Sequence, residues 1–159
     1  MTHLGSCISP KGKRPVVGFQ HRFKYTYLFG SYSPMDGQSF VWEIDGVDNK
    51  IFESYLHAFS KQRPREFKIV VIDNAGFHST KNITVPDNIY LLAIPPYSPE
   101  LNPCEQIWQF IKNRFKNSVF SNLDQLKDWL HQMVNSMEEH TIKSITSNHH
   151  YLQIFNATF

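Results

Sequence analysis

The sequence predicts an α/β fold in which helices cover a mixed sheet. A hairpin is indicated by the β-branched and aromatic run from Lys24 to Tyr32, the turn Ser33–Gly37, and the returning strand from Ser39 to Ile44. Two further strands, Phe67 to Ile72 and Ile89 to Ile94, are almost continuously apolar, which is typical of a sheet interior. Strands separated by a helical segment favour a sheet with both antiparallel and parallel neighbours.

Helical segments follow from apolar side chains that recur every three to four residues and from capping residues at their starts. The resulting order is β-β-α-β-β-α-α, with the segment from Thr141 onward left open between a helix that packs on the core and a tail that contacts a partner. The predicted helices run from a cap at Asp48 to about Ser60, from Leu101 or Pro103 to Lys116, and onward from a capping box of Ser121 and Asp124.

Length and composition indicate one folded domain. The chain has 159 residues, 41% hydrophobic and 19% charged, which excludes a disordered chain. Apolar runs such as Ile69 to Ile72 are far too short for a transmembrane helix, and the N-terminus carries no secretory apolar stretch. Cys7 and Cys104 are too few for a disulfide framework, so a reducing cytoplasm is expected. Cys104 is interpreted as a small residue that fills apolar space rather than as a metal ligand.

The first 35 residues contain no Asp or Glu, although the whole chain has a net charge of only +2. Such a basic segment is the expected footprint of a polyanion, which favours nucleic acid as a partner. The alternative is a solvated basic loop. The candidate DNA-binding residues in this segment are Lys11, Lys13, Arg14, Arg22 and Lys24.

Two carboxylates are the candidate catalytic and metal-binding groups. Asp73 directly follows a buried strand, where open α/β sheets build their sites, although an Asp that caps a turn is the alternative. Glu105 lies in the first turn of a helix, where a charge is also favourable without any function. The 31 residues between them allow both to converge, and the prolines of residues 95–103 hold the helix start rigidly. Two converging carboxylates predict a Mg²⁺ site for phosphate-ester chemistry.

Further polar residues are candidates for supporting this site. Asn74 and Asn102 are expected to bond loop backbone near it, and His78 either orients a phosphate or a carboxylate or lies at the surface. Lys112 and Arg114 follow Glu105 on its helix, and contact with phosphate is expected for them. Trp108 is interpreted as a core residue rather than a platform for base stacking.

The segments DNAGFH and PPYSPELNPCEQIWQFIK resemble the catalytic core of bacterial insertion-sequence transposases related to the mariner group, which are DDE-type transposases. The segments SPKGKRP and KYTYLFGSYSPMDGQSF resemble the same family, and the resemblance covers about residues 4 to 137. It implies a ribonuclease H-like fold and a Mg²⁺- or Mn²⁺-dependent enzyme that nicks and joins DNA at transposon ends and target. Asp73 corresponds to the family's second catalytic Asp and Glu105 to its closing Glu. A homodimer is implied too, because the family usually cuts two ends.

One departure from the family concerns its first catalytic Asp, which lies on the first, central strand. No Asp or Glu precedes Asp36, and neither Asp36, Asp45 nor Asp48 matches that motif. The expectation is an N-terminally truncated catalytic domain over residues 1–140, followed by a tail over residues 141–159. Without the first strand, the hairpin and the Asp73 strand lose their shared neighbour and expose unpaired backbone groups.

The expected function is therefore that of a transposase catalytic domain, which cleaves DNA phosphodiesters and transfers strands, with impaired activity on its own. The alternative is a non-catalytic remnant that binds DNA or pairs with a full-length transposase. A ribonuclease H-like nuclease with other substrates, such as a Holliday-junction resolvase, is a third interpretation, against which the specific proline loop argues. The expected location is the cytoplasm, in association with the nucleoid.

Overall fold

The computed structural model describes residues 26–73, 83–96, 98, 101–116 and 118–147. Within these ranges the element order contains the predicted β-β-α-β-β-α-α series and one additional helix. The strands are β1 (Tyr27–Tyr32), β2 (Ser39–Ile44), β3 (Lys68–Ile72) and β4 (Ile89–Ala93). The helices are α1 (Asn49–Lys61), α2 (Pro103–Phe115), α3 (Leu123–Asn135) and α4 (Glu139–Thr146). None of these helices combines the length and apolar composition that crossing a membrane requires.

The described strands form two separate sheets. β1 and β2 pair antiparallel as the predicted hairpin, from Tyr27 opposite Ile44 to Tyr32 opposite Ser39. β3 and β4 pair in parallel, and no hydrogen-bonded ladder between described strands joins the two sheets. The antiparallel and parallel pairs are those of a mixed sheet, and the expected N-terminal truncation stays a prediction.

The hairpin is buried on both faces because its side chains alternate between two helical layers. On one face Phe29 and Phe40 pack against Tyr55 of α1, with ring centroids 5.4 and 5.3 Å apart. On the other face Tyr32 belongs to a cluster with Ile107 of α2, which is fully buried. The hairpin therefore lies between α1 on one side and α2, α3 and α4 on the other.

The start of α3 differs from the predicted capping box of Ser121 and Asp124. The N-cap is Asn122, whose side-chain oxygen accepts a hydrogen bond from the Gln125 backbone N–H at 2.8 Å. The Gln125 side chain in turn accepts one from the Ser121 backbone N–H at 2.9 Å. Asn caps a helix as well as Ser does, and here it is Asn122 that lies three residues before a Gln able to reach back.

Helix α4 covers the beginning of the segment for which the sequence left open a helix that packs on the core or a tail that contacts a partner. Its Ile142 is 1% exposed and joins the cluster around Ile107, so the beginning of the expected tail packs on the core. Thr146, also buried, donates its hydroxyl to the Ile142 carbonyl at 2.7 Å. The proposed division at residue 140 stays a prediction, and residues 148–159 lie outside the described part of the chain.

The described helices cover only one face of the β3–β4 sheet, whereas its apolar sequence predicts a sheet interior. Ile72 and Ile89 are buried against α1. On the opposite face Ile69, Tyr90 and Leu92 are 51%, 55% and 46% exposed. The described helices α2, α3 and α4 pack on the hairpin instead, so none of them covers this face of the parallel pair.

An ion-pair cluster connects the hairpin to α3. The carboxylate of Glu43 on β2 contacts the Lys127 ammonium, and its other oxygen lies 2.7 Å from Nε2 of His131. The hydrogen bond from Lys127 is the main reason why the pKa of Glu43 lies below its ordinary value. A lowered carboxyl pKa stabilises the folded chain above the unfolded-state pKa, and that stabilisation is lost as the pH falls through the folded-state value.

We expect Glu43→Gln to lower the free energy of unfolding by about 1 kcal/mol at pH 7, since the half-buried carboxylate loses its charge-assisted contacts with Lys127 and His131. The difference from the unmodified chain should shrink steadily as the pH is lowered below about 4. Urea unfolding across this pH range measures both effects. The matched control is Glu66→Gln, whose pair with Arg63 at 3.3 Å is exposed and should matter little. A pH-independent cost of Glu43→Gln would mean that packing rather than charge holds α3 to the hairpin.

Candidate active site

A cavity of about 740 Å³ lies between the two sheets. It is bounded by β1 on one side and β3 on the other, by the aromatic residues Phe52, Tyr55 and Phe59 of α1, and by residues 102–105 and Trp108 of α2. We refer to this cavity as the inter-sheet cleft. Both predicted catalytic carboxylates, Asp73 and Glu105, are among the residues that line it.

Asp73 lies at the cleft because it is the residue immediately after β3 ends at Ile72. It is half-buried. The carboxyl end of a buried strand holds its next side chain at the edge of the sheet, so this position is the one that the sequence predicted. The position of Asp73 is therefore set by the end of β3.

Glu105 is held by a capped helix start. The Asn102 side chain accepts a hydrogen bond from the Cys104 N–H at 3.0 Å, and Pro103 occupies the first helical position. The Glu105 N–H donates to the Asn102 carbonyl at 3.0 Å. The Glu105 side chain is exposed in the first turn, at the positive end of the helix dipole. Asn102 therefore fixes the backbone on which Glu105 sits, and its effect on chemistry stays a prediction.

Cys104, the residue before Glu105, lines the end of the cleft that is formed by the start of α2. Burial raises the pKa of Cys104 to about 12, and the negative charges of Glu105 and Asp73 add to this rise. The thiol donates to the Gly30 carbonyl at 3.3 Å. A thiol that stays protonated packs as an apolar group, as the sequence interpretation of Cys104 proposed.

The donor chemistry of this end of the cleft fits a divalent cation. Mg²⁺ is commonly held by one or two carboxylates together with water and substrate phosphates. Asp73 and Glu105 supply two such groups on rigid elements. Within the described ranges, no three His, Cys, Asp or Glu side chains come together as a metal-binding group. The described residues thus provide part of a ligand set.

The predicted phosphate-contacting residues of α2 lie away from this end. Lys112 is roughly 10 Å further along the helix axis than Glu105, given the rise of about 1.5 Å per residue. The Arg114 guanidinium carbon lies 3.4 Å from the centroid of the Phe110 ring and is thereby held against its own helix. The predicted residues that lie outside the described part of the chain are Asn74, His78, Lys11, Lys13, Arg14, Arg22 and Lys24.

Sequence reasoning did not identify the hairpin residues that form the cleft wall. A β-carbon at Gly30 would lie 3.2 Å from the Trp108 ring and 2.7 Å from the Tyr32 ring, so only glycine allows this close approach. Glycine inside a strand pattern is the signal that indicates such a contact. Trp108 packs edge-to-face on Tyr32 with centroids 5.9 Å apart and lines the cleft as well.

Residues 2–127 match the family described as DDE superfamily endonuclease, and the chain belongs to that family. Enzymes of this family depend on divalent metal ions. A curated relative, the uncharacterized protein y4pE/y4sA of Sinorhizobium fredii (strain NBRC 101917 / NGR234), is 33% identical over 104 residues. That match covers 64% of this chain and 77% of the relative.

Two solved structures confirm the predicted ribonuclease H-like fold. The Mos1 transposase paired-end complex with left transposon end has a TM-score of 0.67 at 18% identity, over 88% of this chain. The Mos1 strand transfer complex has a TM-score of 0.66 at 16% identity, over 89% of this chain. In both, this chain spans only 45% of the length of the solved transposase chain.

Proposed function

We propose that this chain is the catalytic portion of a DDE transposase that cleaves DNA phosphodiesters and transfers the freed strand. The observation that supports this most strongly is that Asp73 and Glu105 line the same cleft, one directly after β3 and the other in the first turn of α2. Family membership supports the same reaction class, and the two Mos1 structures are by their titles complexes of a transposon end and of strand transfer.

The reaction has two displacements at phosphorus. In the first, a water oxygen bonds to phosphorus, the bond to the 3′-oxygen breaks, and that oxygen takes up a proton to become a hydroxyl. In the second, this hydroxyl attacks a target phosphodiester in line, loses its proton, and displaces another 3′-oxygen. Mg²⁺ or Mn²⁺, when bound, lowers the energy of the attacking and leaving oxygens.

The negative charge of the two carboxylates explains why the reaction would require a cation. Asp73 and Glu105 are negatively charged, so on their own they repel a phosphodiester. Asp73 at the strand end and Glu105 at the capped helix start would hold the cation. The positive charge of the cation would then offset the repulsion and allow the phosphate to bind. Because both side chains are attached to regular elements, the position of the reacting phosphate is fixed by the fold.

We expect the chain to nick supercoiled DNA slowly with Mg²⁺ or Mn²⁺ and not at all in EDTA. The rate should be low because two carboxylates hold metal less well than three. Conversion of supercoiled to open-circular plasmid measures it, with Ca²⁺ as a control for binding without chemistry. Nicking that persists in EDTA would contradict the assignment.

The second candidate is a non-catalytic partner that binds DNA or pairs with a full-length transposase. It is favoured by the incomplete set of metal-ligating side chains in the described ranges. DNA binding that falls steeply as salt rises, with no nicking under any divalent cation, would support this candidate. Sedimentation of the chain alone tests whether it forms the proposed homodimer. Either candidate would act on DNA in the cytoplasm, at the nucleoid.

A further inference from the structure

Gly30 leaves an open space in the face of the hairpin that is turned toward α2. Side chains alternate between the two faces of a strand, and Phe29 packs on Tyr55 of α1. Gly30 and Tyr32 therefore belong to the opposite face, where Tyr32 packs edge-to-face on Trp108. Because glycine has no side chain, β1 offers room for a neighbouring helix at this point.

The first two turns of α2 occupy this space. A β-carbon at Gly30 would lie 3.2 Å from the Trp108 ring, so the edge of that ring lies directly over the glycine. The thiol of Cys104, one turn earlier on α2, donates to the Gly30 carbonyl at 3.3 Å. Residues four apart lie on the same face of a helix. Two successive turns at the start of α2 therefore contact the same residue of β1.

Glycine is required here by the packing and not by the backbone conformation. Among the described glycines only Gly37 has a positive φ, so alanine can adopt the backbone conformation of Gly30. Its β-carbon, however, would lie 2.7 Å from the Tyr32 ring and 3.2 Å from the Trp108 ring. Carbon atoms pack at about 3.5–4.0 Å, so the rings and the start of α2 must move outward by about 0.5 Å.

Glu105 moves with this part of α2, because it follows Cys104 directly in the first turn of the helix. Asp73 follows β3, which belongs to the other sheet, and no ladder between described strands joins the two sheets. The packing of α2 on the hairpin therefore contributes to the distance between the two carboxylates. Mg²⁺ holds its ligands at about 2.1 Å in a nearly ideal octahedron, so a displacement of about 0.5 Å at one ligand weakens binding.

We propose that Gly30 is a positioning residue for Glu105. Its missing side chain lets Cys104 and Trp108 approach β1 closely enough for Glu105 to share a cation with Asp73. This rests on the proposed function, because it specifies how one of the two metal-binding carboxylates is held. A merely structural role of Gly30 would affect thermal stability and leave the cation affinity of the folded chain unchanged.

Mn²⁺ binding by Gly30→Ala tests this role. The probe is Mn²⁺ alone, and the EPR signal of the free ion measures how much is bound. Gly30→Ala should bind Mn²⁺ about 10- to 100-fold more weakly, the usual effect of changing a group that orients a metal ligand. Asp73→Asn gives the level of binding at other carboxylates. The matched control is Gly46→Ala, whose β-carbon would meet only Ile51 Cδ1, at 4.0 Å, and which should bind as the unmodified chain does. Unchanged affinity of folded Gly30→Ala would overturn the proposal.

A second substitution that makes room for the added methyl group should restore binding. In the double variant Gly30→Ala with Trp108→Leu, the smaller side chain leaves space for the β-carbon, and Mn²⁺ affinity should recover by about tenfold relative to Gly30→Ala. Independent, additive losses would contradict the proposal. If Gly30→Ala does not fold, Cys104→Ala takes its place, since it removes the thiol contact without adding an atom. Cys104→Ala should weaken Mn²⁺ binding by about tenfold, and an unchanged affinity would likewise overturn the proposal.

Crystal structures without metal separate a failure of this proposal from a failure of the proposed function. Between the unmodified chain and the folded variant, the Glu105 Cα should move by about 0.5 Å relative to the Asp73 Cα. An unmoved Glu105 would overturn the positioning role even if Mn²⁺ binds. If the unmodified chain binds no Mn²⁺, the proposed function fails, and a displaced Glu105 would still support the role of Gly30 in placing it.

Discussion

Asp73→Asn and Glu105→Gln should each reduce metal-dependent DNA cleavage by roughly 10³-fold, since each removes one of the two charges that hold the cation at the reacting phosphate. The amide substitutions keep size and hydrogen-bonding capacity, so the loss reports on charge. The measurement is the rate of plasmid nicking in the presence of Mg²⁺ or Mn²⁺.

The matched control is Asp87→Asn, an exposed carboxylate in the loop before β4 that does not line the inter-sheet cleft. The Asp87→Asn variant should cleave DNA at the rate of the unmodified chain. The alternative explanation for Glu105, a favourable charge at a helix start, predicts a small change in stability and none in cleavage. Full activity of either Asp73→Asn or Glu105→Gln would therefore show that the substituted residue is not part of the active site.

Gly37→Ala should cause a large loss of stability. Gly37 has a backbone φ of +79°, a conformation that L-residues with side chains rarely adopt. A β-carbon there would lie 2.0 Å from the backbone carbonyl oxygen of Glu139, at the start of α4. Either the turn or the helix must move. We expect a cost of about 3 kcal/mol and a fall in Tm of roughly 10 °C.

Gly46→Ala is the matched control for this substitution. A β-carbon at Gly46 meets only Ile51 Cδ1, at 4.0 Å, which is ordinary contact. Its thermal unfolding should resemble that of the unmodified chain. If Gly37→Ala unfolds at the same temperature as Gly46→Ala, then the packing of α4 against the hairpin turn is looser than the structure shows.

The elements that could be predicted from the sequence are those with local signals. Asp48 caps α1, as predicted, because its carboxylate accepts the Ile51 N–H at 2.8 Å. The hairpin followed from its turn residues and its alternating aromatic strands. That Asp73 and Glu105 line one cleft could also be anticipated, since Asp73 follows β3 directly, Glu105 lies in the first turn of α2 and the chain between them is short.

What could not be predicted depends on contacts distant in sequence. Helix α4 has Glu138 as its N-cap, and this residue makes no capping hydrogen bond through its side chain, so no cap signal decided between a helix and a tail. The contact between Cys104 and Gly30 joins positions 74 residues apart. That the described helices cover only one face of the β3–β4 sheet could not be predicted either, because an apolar strand has the same sequence pattern whether or not a helix packs on it.

The uncovered face of the β3–β4 sheet has a practical consequence for making this protein. Phe67 and Ile69 are 66% and 51% exposed, next to a strand edge rich in branched aliphatic residues. Segments of this kind pair with copies of themselves when concentrated. Recombinant chain is therefore expected to be poorly soluble, and a charged substitution at Ile69 should improve its yield.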